Sequence, residues 1–243
     1  MDKVIMKIKS NNPIVKGVYA MTLEGDCSEI ERPGRFINIK TEGFFLRRPI
    51  SICTWTSDLL TILYKVIGGG TEVLSQAVPG KELDLLMPLG NGFNIADCKD
   101  KPLLIGGGIG TPPLLGLAEK LIEEKGITPQ VVMGYRSAEE VILTHKFRDL
   151  GIEPVIATED GSEGFKGYVT DAARNLDFDY VYSCGPIPML KSVYTLNAPG
   201  QYSFEARMAC GFGACMGCSV MTKSGPKRIC KEGPVLYKEE LPW

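Results

Sequence analysis

The chain has a single histidine, His145, in 243 residues. Side-chain acid–base chemistry is thereby short of its usual agent near neutral pH. His145 itself stands among charged residues in a helical stretch and reads as surface or local packing. A dominant charge is lacking too: 27 Lys and Arg face 29 Asp and Glu. A nucleic-acid footprint needs a basic excess, so no nucleic-acid partner is expected. No apolar run reaches the roughly 20 residues that span a bilayer, and no membrane partner is expected. Met1-Asp2-Lys3-Val4-Ile5-Met6 carries no signal-peptide pattern. The expectation is a cytoplasmic chain whose thiols stay reduced, which excludes a disulfide framework. Low-complexity tracts and internal repeats are also missing.

Cysteine, by contrast, is present eight times, which in a leaderless chain favours metal or redox use. Cys210, Cys215 and Cys218 follow a C-x4-C-x2-C spacing, and Cys230 comes eleven residues after the third. This is the cysteine order of a plant-type [2Fe–2S] loop. A chain wrapping such a cluster must keep its side chains small so that backbone N–H groups reach the sulfurs. Gly211, Gly213, Ala214 and Gly217 leave that room. A four-cysteine zinc site is the alternative, although zinc sites usually show two separated C-x2-4-C pairs. Cys27, Cys53 and Cys98 are isolated and read as ordinary, partly buried thiols.

Residues 1–97 read as short strands of a β-barrel. Leu60, Ile62, Tyr64 and Val66 alternate along one face after a Ser57-Asp58 turn, and Leu83, Leu85 and Met87 repeat the period. Pro33-Gly34, Pro79-Gly80 and Gly90-Asn91-Gly92 punctuate the run. Residues 98–200 change pattern to strands alternating with helices, the signature of a doubly wound parallel α/β sheet. Strands are expected at 102–105, 130–134, 154–158 and 180–184. Thr111 is placed to cap a helix with Pro112 at its first position, Leu114, Leu115, Ala118, Leu121 and Ile122 on one face, and Gly126 at its end. Ser137-Ala138-Glu139-Glu140 resembles a capping box opening a second helix. Residues 197–200 read as a link to a small cluster module, 201–243.

Two glycine turns are candidate phosphate sites. Gly107, Gly108, Gly110 and Thr111 join an apolar strand to a helix start, where free N–H groups and the positive dipole end favour an anion. Thr111 stands where the dinucleotide fingerprint has its last glycine, and a tight turn without a ligand is the alternative. The second site is weaker. Arg48-Pro49-Ile50-Ser51 sits between apolar segments, and Gly68-Gly69-Gly70-Thr71 opens a short helical stretch, which together could hold another phosphate. A hairpin with an exposed arginine is the bland alternative.

Together these motifs resemble the ferredoxin–NADP⁺ reductase superfamily, in which a barrel binds FAD and an α/β domain binds a nicotinamide nucleotide. Residues 46–52, 90–93, 209–218 and 229–235 are especially similar to the electron-transfer subunits of NAD-dependent dihydroorotate dehydrogenase B, and the likeness spans essentially the whole chain. The resemblance implies that Arg48 pairs with the FAD pyrophosphate and Ser51 with the flavin edge. It implies that Lys65, Val66 and Ile67 line the flavin, and that Gly70 and Thr71 meet its phosphates. Gly107, Gly108, Gly110 and Thr111 would face NAD, and Cys184, Gly185 and Pro186 the nicotinamide. Cys184 could equally be a strand-end core residue. The implied role is an oxidoreductase subunit of pyrimidine biosynthesis. It passes electrons from an FMN-containing catalytic subunit through [2Fe–2S] and FAD to NAD⁺, within a heterotetramer. Arg136 keeps NADP open, as do rival subunits of the same architecture serving a hydrogenase, a sulfite reductase or a ferredoxin:NADP⁺ transhydrogenase. A zinc-stabilised nucleotide-binding module is the reading from another class. Glu205 and Arg207 read as solvated charges, and the tail ending in Trp243 could dock on a partner or pack on the chain itself.

Overall fold

A computed structural model describes residues 2–243. Its first part is a closed barrel of β1 (Asp2–Val15), β2 (Val18–Glu24), β3 (Phe36–Ile39), β4 (Arg48–Trp55), β5 (Leu59–Lys65) and β6 (Glu82–Leu89), in the order β1-β2-β5-β4-β3-β6. The period-two pattern is the cause. Leu60, Ile62 and Tyr64 of β5, Ile37 and Ile39 of β3, and Leu83, Leu85 and Met87 of β6 fill one interior. Each such side chain contributes about 1.5–3 kcal/mol when fully buried. Not all strands are short: β1 runs 14 residues, pairing with β6 along its first half and β2 along its second. Register shifts near Ser10 and Val15 bend it between the two partners. The short helix α1 (Gly69–Ser75) lies between β5 and β6.

The second part is a seven-stranded sheet, β10-β9-β8-β7-β11-β12 with an edge strand from the last segment, β15 (Val235–Tyr237), beside β12. It contains β7 (Pro102–Gly107), β8 (Gln130–Tyr135), β9 (Val155–Thr158), β10 (Phe165–Lys166), β11 (Tyr180–Gly185) and β12 (Gly200–Phe204), all parallel. The chain first winds outward from β7 to β8, β9 and β10, then returns to β11 on the other side of β7. The carboxyl ends of β7 and β11 therefore flank the topological switch point, where such sheets leave a ligand crevice.

Helix α2 (Pro112–Lys125) has Pro at its start and ends at Gly126, whose φ of 67° supplies the left-handed turn. Its buried face is wider than the expected stripe, because the barrel covers it from the far side. A Cβ on Gly116 would sit 2.4 Å from the Cys53 carbonyl of β4. Thr111 does not cap α2 with its side chain. Its backbone is already helical, and its hydroxyl accepts the Tyr135 phenol at 3.4 Å. The second expected helix differs as well. Residues 138–140 form one tight turn without a side-chain cap, and α3 (Thr144–Asp149) starts only later. Glu140 is diverted: Oε2 accepts the Arg136 N–H and Oε1 pairs with Lys65. The remaining helices are α4 (Val169–Ala173) and α5 (Ile187–Tyr194).

Residues 197–200 lead straight into β12, so the sheet continues past residue 200. The last segment adds a hairpin of β13 (Ser219–Thr222) and β14 (Gly225–Arg228), and then β15 (Val235–Tyr237) returns antiparallel to β12. Cys218, Ile229 and Cys230 share a core with Phe36 and Leu89 of the barrel and with Tyr202 and Phe204 of the sheet. The tail packs on its own chain: the Trp243 ring lies 5.8 Å from Tyr194 and 5.5 Å from Phe204.

Candidate functional site

The two ends of the crevice meet at glycines. A Cβ on Gly110 would lie 2.5 Å from the Cys184 carbonyl, and one on Gly107 2.5 Å from Met189 Sδ of α5. Only bare backbone lets the turn after β7 approach the turn after β11. Gly108 has φ of 53° and a Cβ there would meet nothing, so this residue faces open space. Gly185 is buried and Pro186 exposed, forming the opposite rim. Cys184 is buried, and burial pushes its thiol up to about 12, so it stays protonated and uncharged. Thr111 is fully buried, and its hydroxyl accepts the Tyr135 phenol.

Strand β5 lies against the Gly108–Gly110 turn. There the barrel brings its own candidates. Arg48, at the start of β4, stacks over the Phe44 ring at 4.8 Å and lies on the first turn of α1. A Cβ on Gly70 would fall 1.9 Å from Arg48 Nε. Thr71 Oγ1 accepts the N–H groups of Ile67 and Gly68, at 3.0 and 3.3 Å, and donates to the Gly68 carbonyl at 2.9 Å. That bracing fixes the turn from Val66 into α1, whose first N–H groups have no partner inside the helix. Ser51 and Val66 are half-buried, and Lys65 and Ile67 exposed. Lys65 Nζ reaches Glu140 Oε1 at 3.2 Å, an ion pair spanning barrel and sheet. A groove of about 530 Å³ opens beside α1, lined in part by Lys16, Tyr19, Val66 and Glu72.

Among the described residues, no three of His, Cys, Asp or Glu converge on a single-ion position. The sulfurs of the C-terminal cysteines instead accept backbone N–H groups: Ala214 donates to Cys210 Sγ at 3.3 Å and Cys230 to Cys218 Sγ at 3.4 Å. Four thiols held in this way suit a cluster of two irons, each taking two thiolates. Burial raises the Cys210 pKa, but the N–H groups of Phe212, Cys215 and Ala214 outweigh it and hold the thiol down at about 6. Cys230 is pushed up to about 12 by burial and by the adjacent Cys218. The wrap uses left-handed backbone at Gly211 (φ 76°), Gly213 (φ 93°) and Met216 (φ 60°).

Several residues that build this arrangement escaped the sequence reading. Asn38 of β3 donates to the Cys210 carbonyl at 3.2 Å. Arg228 donates to the Gly213 carbonyl at 2.5 Å while paired with Glu232, which flanks Cys230 on the other side. Asn91 donates to the Val235 carbonyl at 2.7 Å and accepts the Val235 N–H at 3.1 Å. Two motifs about 140 residues apart in sequence thereby lock together. A polar residue inside the apolar Phe36–Ile39 run and the opposite charges at 228 and 232 were the available signals. His145, Glu205 and Arg207 are exposed, Cys27 and Cys53 buried, and Cys98 half-buried.

Residues 205–242 match the iron–sulfur cluster binding domain of dihydroorotate dehydrogenase B. The chain is 40% identical over 251 residues to the dihydroorotate dehydrogenase B (NAD(+)) electron transfer subunit of Fusobacterium nucleatum, with 96% of each chain covered. The subunit of the same name from Geobacillus sp. (strain WCH70) is 39% identical, with 97% of each covered. Among solved structures, an NADH-dependent reduced ferredoxin–NADP oxidoreductase is 28% identical with a TM-score of 0.87, over 99% of this chain and 90% of that one. The flavohem-like FAD/NAD binding domain of nitric oxide dioxygenase from Vibrio cholerae shares the fold at 20% identity and a TM-score of 0.68, over 79% of this chain and 91% of that one. With about 40% identity over nearly the full length of both subunits, and with the iron–sulfur domain matched at 205–242, the chain belongs to the family of electron transfer subunits of dihydroorotate dehydrogenase B (NAD(+)).

Proposed function

We propose that this chain links NAD(H) to an FMN-containing catalytic subunit that oxidises dihydroorotate, in a heterotetramer of two subunit pairs in the cytoplasm. The barrel, residues 1–97, would hold FAD; the α/β segment, 98–200, whose sheet β12 and β15 complete, NAD; and residues 201–243 a [2Fe–2S] cluster on Cys210, Cys215, Cys218 and Cys230. When bound, FAD exchanges a hydride with NAD(H) and single electrons with the cluster, which is why it must lie between them.

The residues present fit these groups. Arg48 and the first turn of α1, with Gly70 and Thr71, offer a cation and free N–H groups to a pyrophosphate. Pro49, Ile50 and Ser51 on β4, with Lys65, Val66 and Ile67 at the end of β5, offer a backbone-lined wall for a flavin ring. Gly107, Gly108 and Gly110 leave room for a nucleotide at the switch point, and Thr111 braces that turn from behind. Cys184, Gly185 and Pro186 form the facing rim, Cys184 as an uncharged surface rather than a nucleophile. The observation that carries the reading is the meeting of β5, whose last residues offer the flavin wall, with the Gly108–Gly110 turn. It supports a flavin wall beside the nucleotide crevice, as direct hydride transfer requires.

An anaerobic visible spectrum of the purified chain, before and after NADH, tests this. Overlapping flavin and iron–sulfur bands that bleach with NADH are expected, together with co-purification of a dihydroorotate-oxidising FMN protein. A colourless protein containing zinc, and still colourless after reconstitution with iron, sulfide and FAD, would sink it. One observation favours a second reading, a reductase of the same architecture using NADP: Arg136 is exposed just beyond β8, available to a 2′-phosphate. Bleaching by NADPH but not NADH would select it.

A further inference from the structure

Asn38 is the polar member of the buried strand Phe36-Ile37-Asn38-Ile39, and only 1% of it is exposed. Ile37 and Ile39 point into the barrel. Asn38 therefore points outward, as does its cross-strand partner Pro49. Phe36 and its partner Ser51 share that outer face. Strand spacing and rise put the Cα atoms of Asn38 and Ser51 about 8 Å apart.

The carboxamide is committed to the cysteine loop. Nδ2 donates to the Cys210 carbonyl at 3.2 Å, and a Cβ on the next residue, Gly211, would lie 2.2 Å from that nitrogen. Oδ1 is buried without a partner. An apolar side chain would fill the same space without that desolvation cost, so packing alone does not account for an asparagine here. Its backbone is held from behind: Arg47 Nη1 donates to the Asn38 carbonyl at 3.3 Å and to the Asp84 carbonyl at 2.8 Å, and Nη2 pairs with Asp84 Oδ1 at 2.7 Å.

We propose that Asn38 is a positioning residue for electron transfer: its amide pins the Cys210 end of the cluster loop to the barrel face that carries Ser51, and so fixes the gap between flavin and cluster. This rests on the cofactor assignment proposed above. The Asn38 amide bonds a loop carbonyl rather than a cysteine sulfur, and its role in the proposal leaves hydride transfer alone. Electron tunnelling decays exponentially with distance, so a loop released from this anchor loses rate at the flavin-to-cluster step specifically.

The test uses the full chain with its cofactors, in complex with its catalytic subunit. In Asn38→Leu, stopped-flow reduction of the flavin by NADH should stay within twofold of the parent. Subsequent reduction of the cluster should slow at least tenfold, with a broadened EPR signal. Hydrogen exchange of peptides covering 209–214 should rise in the same variant, a readout independent of turnover. Asn38→Ser, smaller and still polar, serves if the leucine variant does not fold. Unchanged cluster-reduction rate and unchanged exchange would overturn the proposal. So would joint loss of FAD and cluster in both variants, since Asn38 would then be a general stability residue. A parent protein that transfers electrons normally beside unaffected variants refutes only the role of Asn38, whereas a parent without flavin or cluster refutes the cofactor assignment itself.

Discussion

The two glycine turns, Gly107–Thr111 after β7 and Gly68–Thr71 before α1, look alike in sequence and are built oppositely. The turn after β7 is closed by backbone: Gly110 presses on the Cys184 carbonyl and its threonine is buried, facing inward. The turn before α1 is closed by a side chain: Gly70 lies under Arg48, and its threonine hydroxyl braces the turn itself. One glycine is needed so that two strands can converge, the other so that an arginine can lie across a helix start. The same residue thus lets two backbones converge in one turn and an arginine side chain cover a helix start in the other.

Alanine at each glycine separates the two uses. Gly110→Ala places a methyl 2.5 Å from the Cys184 carbonyl oxygen, and neither backbone can yield cheaply. The expected loss is about 1–3 kcal/mol of stability, read as a lower urea midpoint. Gly70→Ala meets only the movable end of Arg48. Its stability should stay within about 1 kcal/mol of the parent, while FAD affinity falls about tenfold as Arg48 swings off the helix start. A fluorescence titration with FAD measures that. Equal losses of stability in the two variants would erase the distinction.

Legibility followed the range of the interactions. The barrel strands were readable because alternation is local, and Leu60, Ile62 and Tyr64 bury as their period demands. The Gly126 stop was readable for the same reason. The second helix was misplaced because Ser137 and Glu140 carry a capping pattern, yet Glu140 goes to Lys65, a partner from the other part of the fold. Tertiary contacts override local propensity in this way. The cysteine spacing announced the cluster loop, but not its three external holds, Asn38, Arg228 and the Asn91 clamp. Asn38 lies 172 residues from Cys210, and no periodicity reports a pairing at that distance.

The threonines provide the finest division between the turns. Valine keeps the shape of threonine and removes only the hydroxyl. Thr71→Val strands the N–H groups of Ile67 and Gly68, and Thr71 is 6% exposed, so water repairs little of the loss. About 1–2 kcal/mol should go, read from urea unfolding without added FAD. Thr111→Val removes a single contact at 3.4 Å, near the limit for a hydrogen bond, and the Tyr135 hydroxyl keeps the Ile142 carbonyl at 3.1 Å. Its cost should stay below about 0.5 kcal/mol, with NADH affinity unchanged because the hydroxyl is buried against Tyr135. A weaker affinity for NADH in Thr111→Val would mean that this side chain turns outward when nucleotide binds, and the turn after β7 would then reach its ligand through a side chain, as proposed for Arg48 at the turn before α1.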